Sequence, residues 1–168
     1  MDLPKRKPNR LHGFDYSTPG AYFITICTEE KKNILGSIVG GGALDAPQIR
    51  LSPMGHIAEK CLLSGNKNRY VHIDKYVIMP NHIHFILMVD EEAPGGTSRV
   101  PSPTNAVVPR FVSTFKRFCH KDADKTLFQR SYHDHIIRNE QDYLKIWAYI
   151  DSNPAKWKED CFYKEEPL

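Results

Sequence analysis

The chain has 168 residues, 40% of them hydrophobic, with eight Phe, eight Tyr and two Trp, enough for one continuous core and too few residues for a second domain. Its 23 Lys and Arg against 20 Asp and Glu leave a net charge of +3, which permits a nucleic-acid partner without demanding one. Cys27, Cys61, Cys119 and Cys161 lack any Cys-x-x-Cys spacing, which excludes a zinc knuckle or redox pair, and neither a signal-peptide core nor a membrane-length apolar run is written in the sequence. These features predict a cytoplasmic protein of one domain spanning 1–168.

The opening residues 1–20, with Lys5, Arg6, Lys7 and Arg10 among prolines, read as a basic arm. "AYFITICT" (21–28) is rich in β-branched and aromatic residues and predicts a strand. "LGSIVGGGALDAPQIRLS" predicts a hairpin with a glycine-rich tip; Gly40, Gly41 and Gly42 have neither of the phosphate-loop spacings. In 52–65, Ser52 as N-cap, Pro53 at the first helical position and Gly65 at the end mark a helix. "RYVHIDKYVIM" (69–79) and "HIHFILMV" (82–89) are two strands joined at the turn pair Pro80-Asn81.

The polar, Pro- and Gly-rich stretch 90–105 reads as a mobile loop. In 106–121, Val108, Phe111, Val112, Phe115 and Phe118 form one apolar helix stripe, leaving Arg110, Lys116, Arg117 and Lys121 on a basic face. "TLFQRSYHDHIIR" (126–138) is strand-like. Asn139 then caps a helix over 140–153 with acids in its first turn, closed by Pro154. Strand, hairpin, helix, paired strands, helix, strand and helix predict an α+β sandwich of the ferredoxin-like kind, with helices packed on an antiparallel sheet.

Two residues apart on one strand, His82 and His84 share a face. Paired imidazoles suggest a bound metal or a phosphate. On the last helix Tyr143, Ile146, Trp147 and Ile150 form the apolar stripe; Tyr149 lies off it, and Asn153, four residues on, projects beside Tyr149. Two neutral imidazoles and an amide oxygen can hold a divalent metal with open positions for phosphate oxygens. A tyrosine, with its ordinary pKa near 10, needs help to act as a nucleophile, and Lys145, one turn earlier, is a candidate helper.

"His82-Ile83-His84" after "YVIMPN", with "Tyr149-Ile150-x-x-Asn153-Pro154" downstream, resembles the single-tyrosine HUH transposases. Within that group, "FQRSYHDHIIRNEQDYLKIWAYIDSNPAKW" (128–157) is similar to the REP-associated tyrosine transposases. The resemblance implies a Mg²⁺ or Mn²⁺ ion on His82 and His84 with Asn153 as third ligand, and Tyr149 as nucleophile. It also implies single-stranded DNA beside a palindromic hairpin as substrate, cut and rejoined through a 5′-phosphotyrosine, by a monomer or a homodimer. Hairpin contacts would then come from Lys5, Arg6, Lys7, Arg10, Arg110, Lys116, Arg117 and Lys121.

Two other functions fit parts of the pattern. A metal-dependent hydrolase would continue with another Asp or His close to the pair, where this sequence has "FILMV". A non-catalytic nucleic-acid-binding module on the ferredoxin-like plan would show sheet aromatics in a K/R-G-F/Y pattern, which is missing. His12, His56, His72, His120, His133 and His135 read as surface or packing histidines, although "HDH" (133–135) repeats the spacing.

Overall fold

A computed structural model of the chain describes residues 11, 13–40, 46–91 and 106–164. Six strands and three α-helices occur among them: β1 (Gly20–Cys27), β2 (Gly36–Val39), β3 (Gln48–Leu51), α1 (Pro53–Ser64), β4 (Val71–Ile78), β5 (His82–Val89), α2 (Val107–Ala123), β6 (His133–Ile137) and α3 (Glu140–Ser152). The main sheet has the order β4-β5-β1-β6 and every pairing in it is antiparallel. With β2 and β3 set aside as an inserted hairpin, the chain runs βαββαβ, which is the ferredoxin-like plan.

Strand alternation divides the sheet residues between two faces. Tyr22, Ile24 and Ile26 of β1 and Ile83, Phe85 and Leu87 of β5 are buried on the face that α1 and α2 cover, where Phe85 meets Phe111. His82 and His84 point to the opposite face, crossed by α3. The metal-type pair and the basic helix α2 therefore lie on opposite sides of the sheet.

Local signals place α1 where the sequence predicts it. Ser52 caps it by accepting the Gly55 N–H at 3.1 Å, while its own hydroxyl donates to the Ile34 carbonyl at 2.6 Å. Gly55 is there for space: a Cβ on it would lie 2.0 Å from the Leu35 carbonyl oxygen, which accepts the Ser52 N–H. Gly55→Ala is expected to cost about 3 kcal/mol, because backbone rather than a flexible side chain must move. Urea unfolding checks this; an unchanged midpoint would show that the contact relaxes freely.

Three expectations change. Phe118 is 43% exposed, and Cys119 replaces it on the buried stripe of Val108, Phe111, Val112 and Phe115, so the stripe follows a turn of four residues rather than three. The Phe118 ring instead carries the Arg117 guanidinium, 5.1 Å from its centroid. Lys116 is not on the basic face: it is 8% exposed and its ammonium donates to the carbonyls of Gln129, Arg130 and Ser131 at 2.6, 3.2 and 2.8 Å. Those bonds occupy the three protons a phosphate would need.

The third change is in 126–138, where the strand is only His133–Ile137, and Phe128 makes no more than a single antiparallel bridge to Thr28. Leu127 and Phe128 are buried, and this stretch is the loop whose carbonyls Lys116 satisfies. Of the predicted basic arm, Phe14, Tyr16 and Ser17 pack with the core, Tyr16 edge-on to Phe14 at 5.2 Å. Lys5, Arg6, Lys7, Arg10, His12, the tip 41–45 and 92–105 of the predicted loop lie outside the described residues.

Candidate active site

The turn before β5 is built around Asn81, which is fully buried. Its amide nitrogen donates to the carbonyls of Phe162 at 2.8 Å and Lys31 at 3.3 Å, and its backbone carbonyl accepts the Thr28 N–H at 2.9 Å. With the nitrogen so engaged, Oδ1 faces His82 Nδ1 at 2.9 Å and must accept from it. The proton of His82 is thereby held on Nδ1, and Nε2 carries a bare lone pair. That Nε2 is buried without a hydrogen-bond partner.

His84 is oriented in the same way by its strand neighbour. Thr25, opposite it in the β1–β5 register, places Oγ1 2.8 Å from His84 Nδ1. The ring stacks on Phe23 and lies edge-on to His82, with centroids 5.2 and 4.4 Å away. Both rings are neutral. Burial, and then the Lys31 charge, push His82 down to about 3; burial, and then His82, hold His84 well below the usual imidazole range.

From α3, Tyr149 brings its hydroxyl to 3.3 Å from His84 Nε2 and donates to Asp160 Oδ2, also at 3.3 Å. It remains 40% exposed. Burial and the Asp160 carboxylate push the hydroxyl up to about 12, which makes it a protonated phenol in this arrangement. Asn153, at the helix end and 2% exposed, donates from Nδ2 to Asp160 Oδ2 at 3.0 Å and leaves Oδ1 buried without a partner.

Asp160 is the site residue that the sequence pattern missed. It follows α3 in a segment without periodicity, and a tight turn fixed by the Phe162 N–H on Oδ1 at 2.7 Å aims its other oxygen inward. Ligand atoms of His82, His84 and Asp160 lie within 4.8 Å of one another, and Asn153, whose Nδ2 bonds Asp160 Oδ2, keeps an unpartnered Oδ1. Two imidazole lone pairs, one carboxylate and one amide oxygen are a donor set suited to a divalent cation. No other His, Cys, Asp and Glu cluster of this kind occurs among the described residues.

The structure brings His82, His84, Tyr149 and Asn153 together. Lys145 is exposed and its charge bears on Asp142, whereas Lys31 stands over the Phe162 ring at 4.8 Å and acts on His82. Arg110, Arg117 and Lys121 are exposed on α2, behind the sheet from Tyr149. His133 and His135 are exposed on the edge strand, His135 bonded to Asp142 at 2.8 Å, and do not form a second metal-type pair.

No protein-family model matches the sequence. An uncharacterized protein of Haemophilus influenzae is 32% identical over 178 residues, covering 94% of this chain and 93% of the relative. The chain belongs to one family with that protein. A solved REP-associated tyrosine transposase bound to a REP hairpin superposes with a TM-score of 0.57 at 19% identity, over 94% of this chain and 74% of that one. The fold is that of a REP-associated tyrosine transposase. A further structure, described as a candidate transposase from Deinococcus radiodurans R1, is 15% identical with a TM-score of 0.43, over 85% of this chain and 95% of the other. In the REP-associated transposase fold of this chain, no described helix is long and apolar enough to cross a membrane.

Proposed function

We propose that this protein is a REP-associated tyrosine transposase that nicks single-stranded DNA beside a palindromic hairpin and rejoins it through Tyr149. One observation carries the reading: the Tyr149 hydroxyl lies 3.3 Å from His84 Nε2, beside the unpartnered Nε2 of His82. A surface tyrosine has no reason to be held against two buried neutral imidazoles; a nucleophile that must meet a charge-neutralised phosphate does.

His82 and His84, with oxygens from Asp160 and Asn153, would hold Mg²⁺ or Mn²⁺. The ion would supply a Lewis acid for the phosphate oxygens. Tyr149 Oη attacks phosphorus and loses its proton, one P–O bond forms, the bond to the 3′ oxygen breaks, and that oxygen leaves as a hydroxyl. The exchange of one phosphodiester for another retains the bond energy for rejoining. Asp160, already accepting from the phenol, is placed to take its proton.

The reading is tested by incubating the protein and Mn²⁺ with labelled single-stranded DNA that contains the hairpin flanking its gene. A protein–DNA adduct that survives a denaturing gel is expected, joined to the 5′-phosphate side of the nick. Hairpin binding with no adduct in Mn²⁺ or Mg²⁺ would leave the non-catalytic binding module as the better reading.

A further inference from the structure

A cavity of about 540 Å³ adjoins the candidate active site through Trp157. Pro80 and Pro154 line it and are the chain neighbours of Asn81 and Asn153. Trp157 is common to site and cavity: its ring centroid is 5.9 Å from that of His82, and it lines the cavity. Tyr163, edge-on to Trp157 at 5.3 Å, extends the aromatic wall.

Its charge is cationic. Lys156, Lys158 and Lys164 line the cavity against the single acid Glu159. Asn33, also in the wall, donates to the Lys164 carbonyl at 3.2 Å and has no partner for Oδ1 among the described residues. Gly36, Ser37 and Ile38 of β2 also line it, Ser37 being exposed. Aromatic rings with surrounding ammonium groups and an amide edge are the components that bind an unpaired nucleotide, through its base face, its phosphate and its base edge respectively.

A second cavity, about 320 Å³ between α1 and α2, is lined by Phe111, Phe115 and Phe118 and lies on the far face of the sheet from Tyr149. It cannot hold a nucleotide continuous with one at the site.

We infer that the cavity bounded by Trp157, Tyr163 and the three lysines holds an unpaired nucleotide of the single-stranded flank, next to the phosphate that Tyr149 attacks. This rests on the proposed function and adds to it the place where the flank is bound. It also accounts for the position of the cations: the exposed charge of α2 faces away from the chemistry, whereas Lys156, Lys158 and Lys164 adjoin it.

The test compares binding of two labelled oligonucleotides by fluorescence polarisation: the hairpin with its single-stranded flank, and the same hairpin cut flush. Ser37→Trp adds bulk to the cavity lining from an exposed strand position, and Lys158→Glu reverses an exposed charge; neither residue belongs to the catalytic cluster. Each is expected to weaken binding of the flanked hairpin about tenfold and to leave the flush hairpin within about twofold. Unchanged affinity for the flanked DNA in both variants, or equal loss for both DNAs, overturns the inference. If Ser37→Trp fails to fold, as its melting temperature will show, Lys158→Glu decides alone. Adduct formation by the unaltered protein separates the two readings: an adduct with indifferent cavity variants removes only the cavity assignment, and no adduct with no preference for flanked DNA removes both.

Discussion

Tyr149→Phe is expected to lower covalent adduct formation by about 10⁴-fold or more while leaving hairpin affinity and stability nearly unchanged. The variant keeps the ring that packs edge-on to Phe23 and His84 at 6.0 and 5.2 Å, and loses only the hydroxyl. That hydroxyl makes two contacts, each 3.3 Å long, so its removal should alter stability by less than about 1 kcal/mol. A denaturing gel reads the adduct, polarisation reads the binding, and thermal unfolding reads the fold. An adduct retained by the phenylalanine variant would mean that another side chain attacks, and the geometric case for this site would fail with it.

Much of the scaffold was legible because its local signals and its tertiary environment agree. Ser52, Pro53 and Gly65 bracket α1, Asn139 caps α3 through the Asp142 N–H, and the β-branched run at 21–28 becomes β1, one of the two inner strands. The buried run of β5 is apolar on both faces apart from its histidines, since helices cover both sides of the sheet. Where one residue does what its type seldom does, the pattern gave no warning. Lys116 is a lysine inside, held by three carbonyls of a loop that the sequence presents as part of a strand.

Of the site, the residues with a motif were legible and those that support them were not. His82, His84, Tyr149 and Asn153 follow from alternation and helical spacing. Asn81 reads as a turn residue, and it is one; that its side chain also holds the proton of His82 depends on a contact with Phe162, 81 positions away. Asp160 sits in an aperiodic segment, and only the fold of 153–164 back beneath α3 brings it to Tyr149. Nor could helix periodicity say which sheet face α2 would cover, so the expected DNA-facing role of its cations was separated from the chemistry only by the topology.

His82→Ala is expected to abolish adduct formation and to remove the rise in melting temperature that Mn²⁺ gives the unaltered protein, with hairpin affinity kept within about threefold. The metal-linked stabilisation is the sharper readout, because it needs no DNA. If the variant still gains the full Mn²⁺-dependent rise, the ion binds elsewhere. The same substitution also tests the neutral state of the ring without metal. His82 is held at about 3 in the folded chain against an ordinary 6.5, so the unfolded chain takes up a proton that the folded chain refuses. Stability from this group is therefore complete above pH 6.5 and falls as the pH drops toward 3, by roughly 1.4 kcal/mol per pH unit at most. Chelated wild-type protein should lose stability more steeply across that window than His82→Ala, as urea unfolding at successive pH values would show. Parallel slopes would mean that the folded chain protonates the ring as readily as the unfolded chain does, and that burial does not hold His82 neutral below pH 6.5.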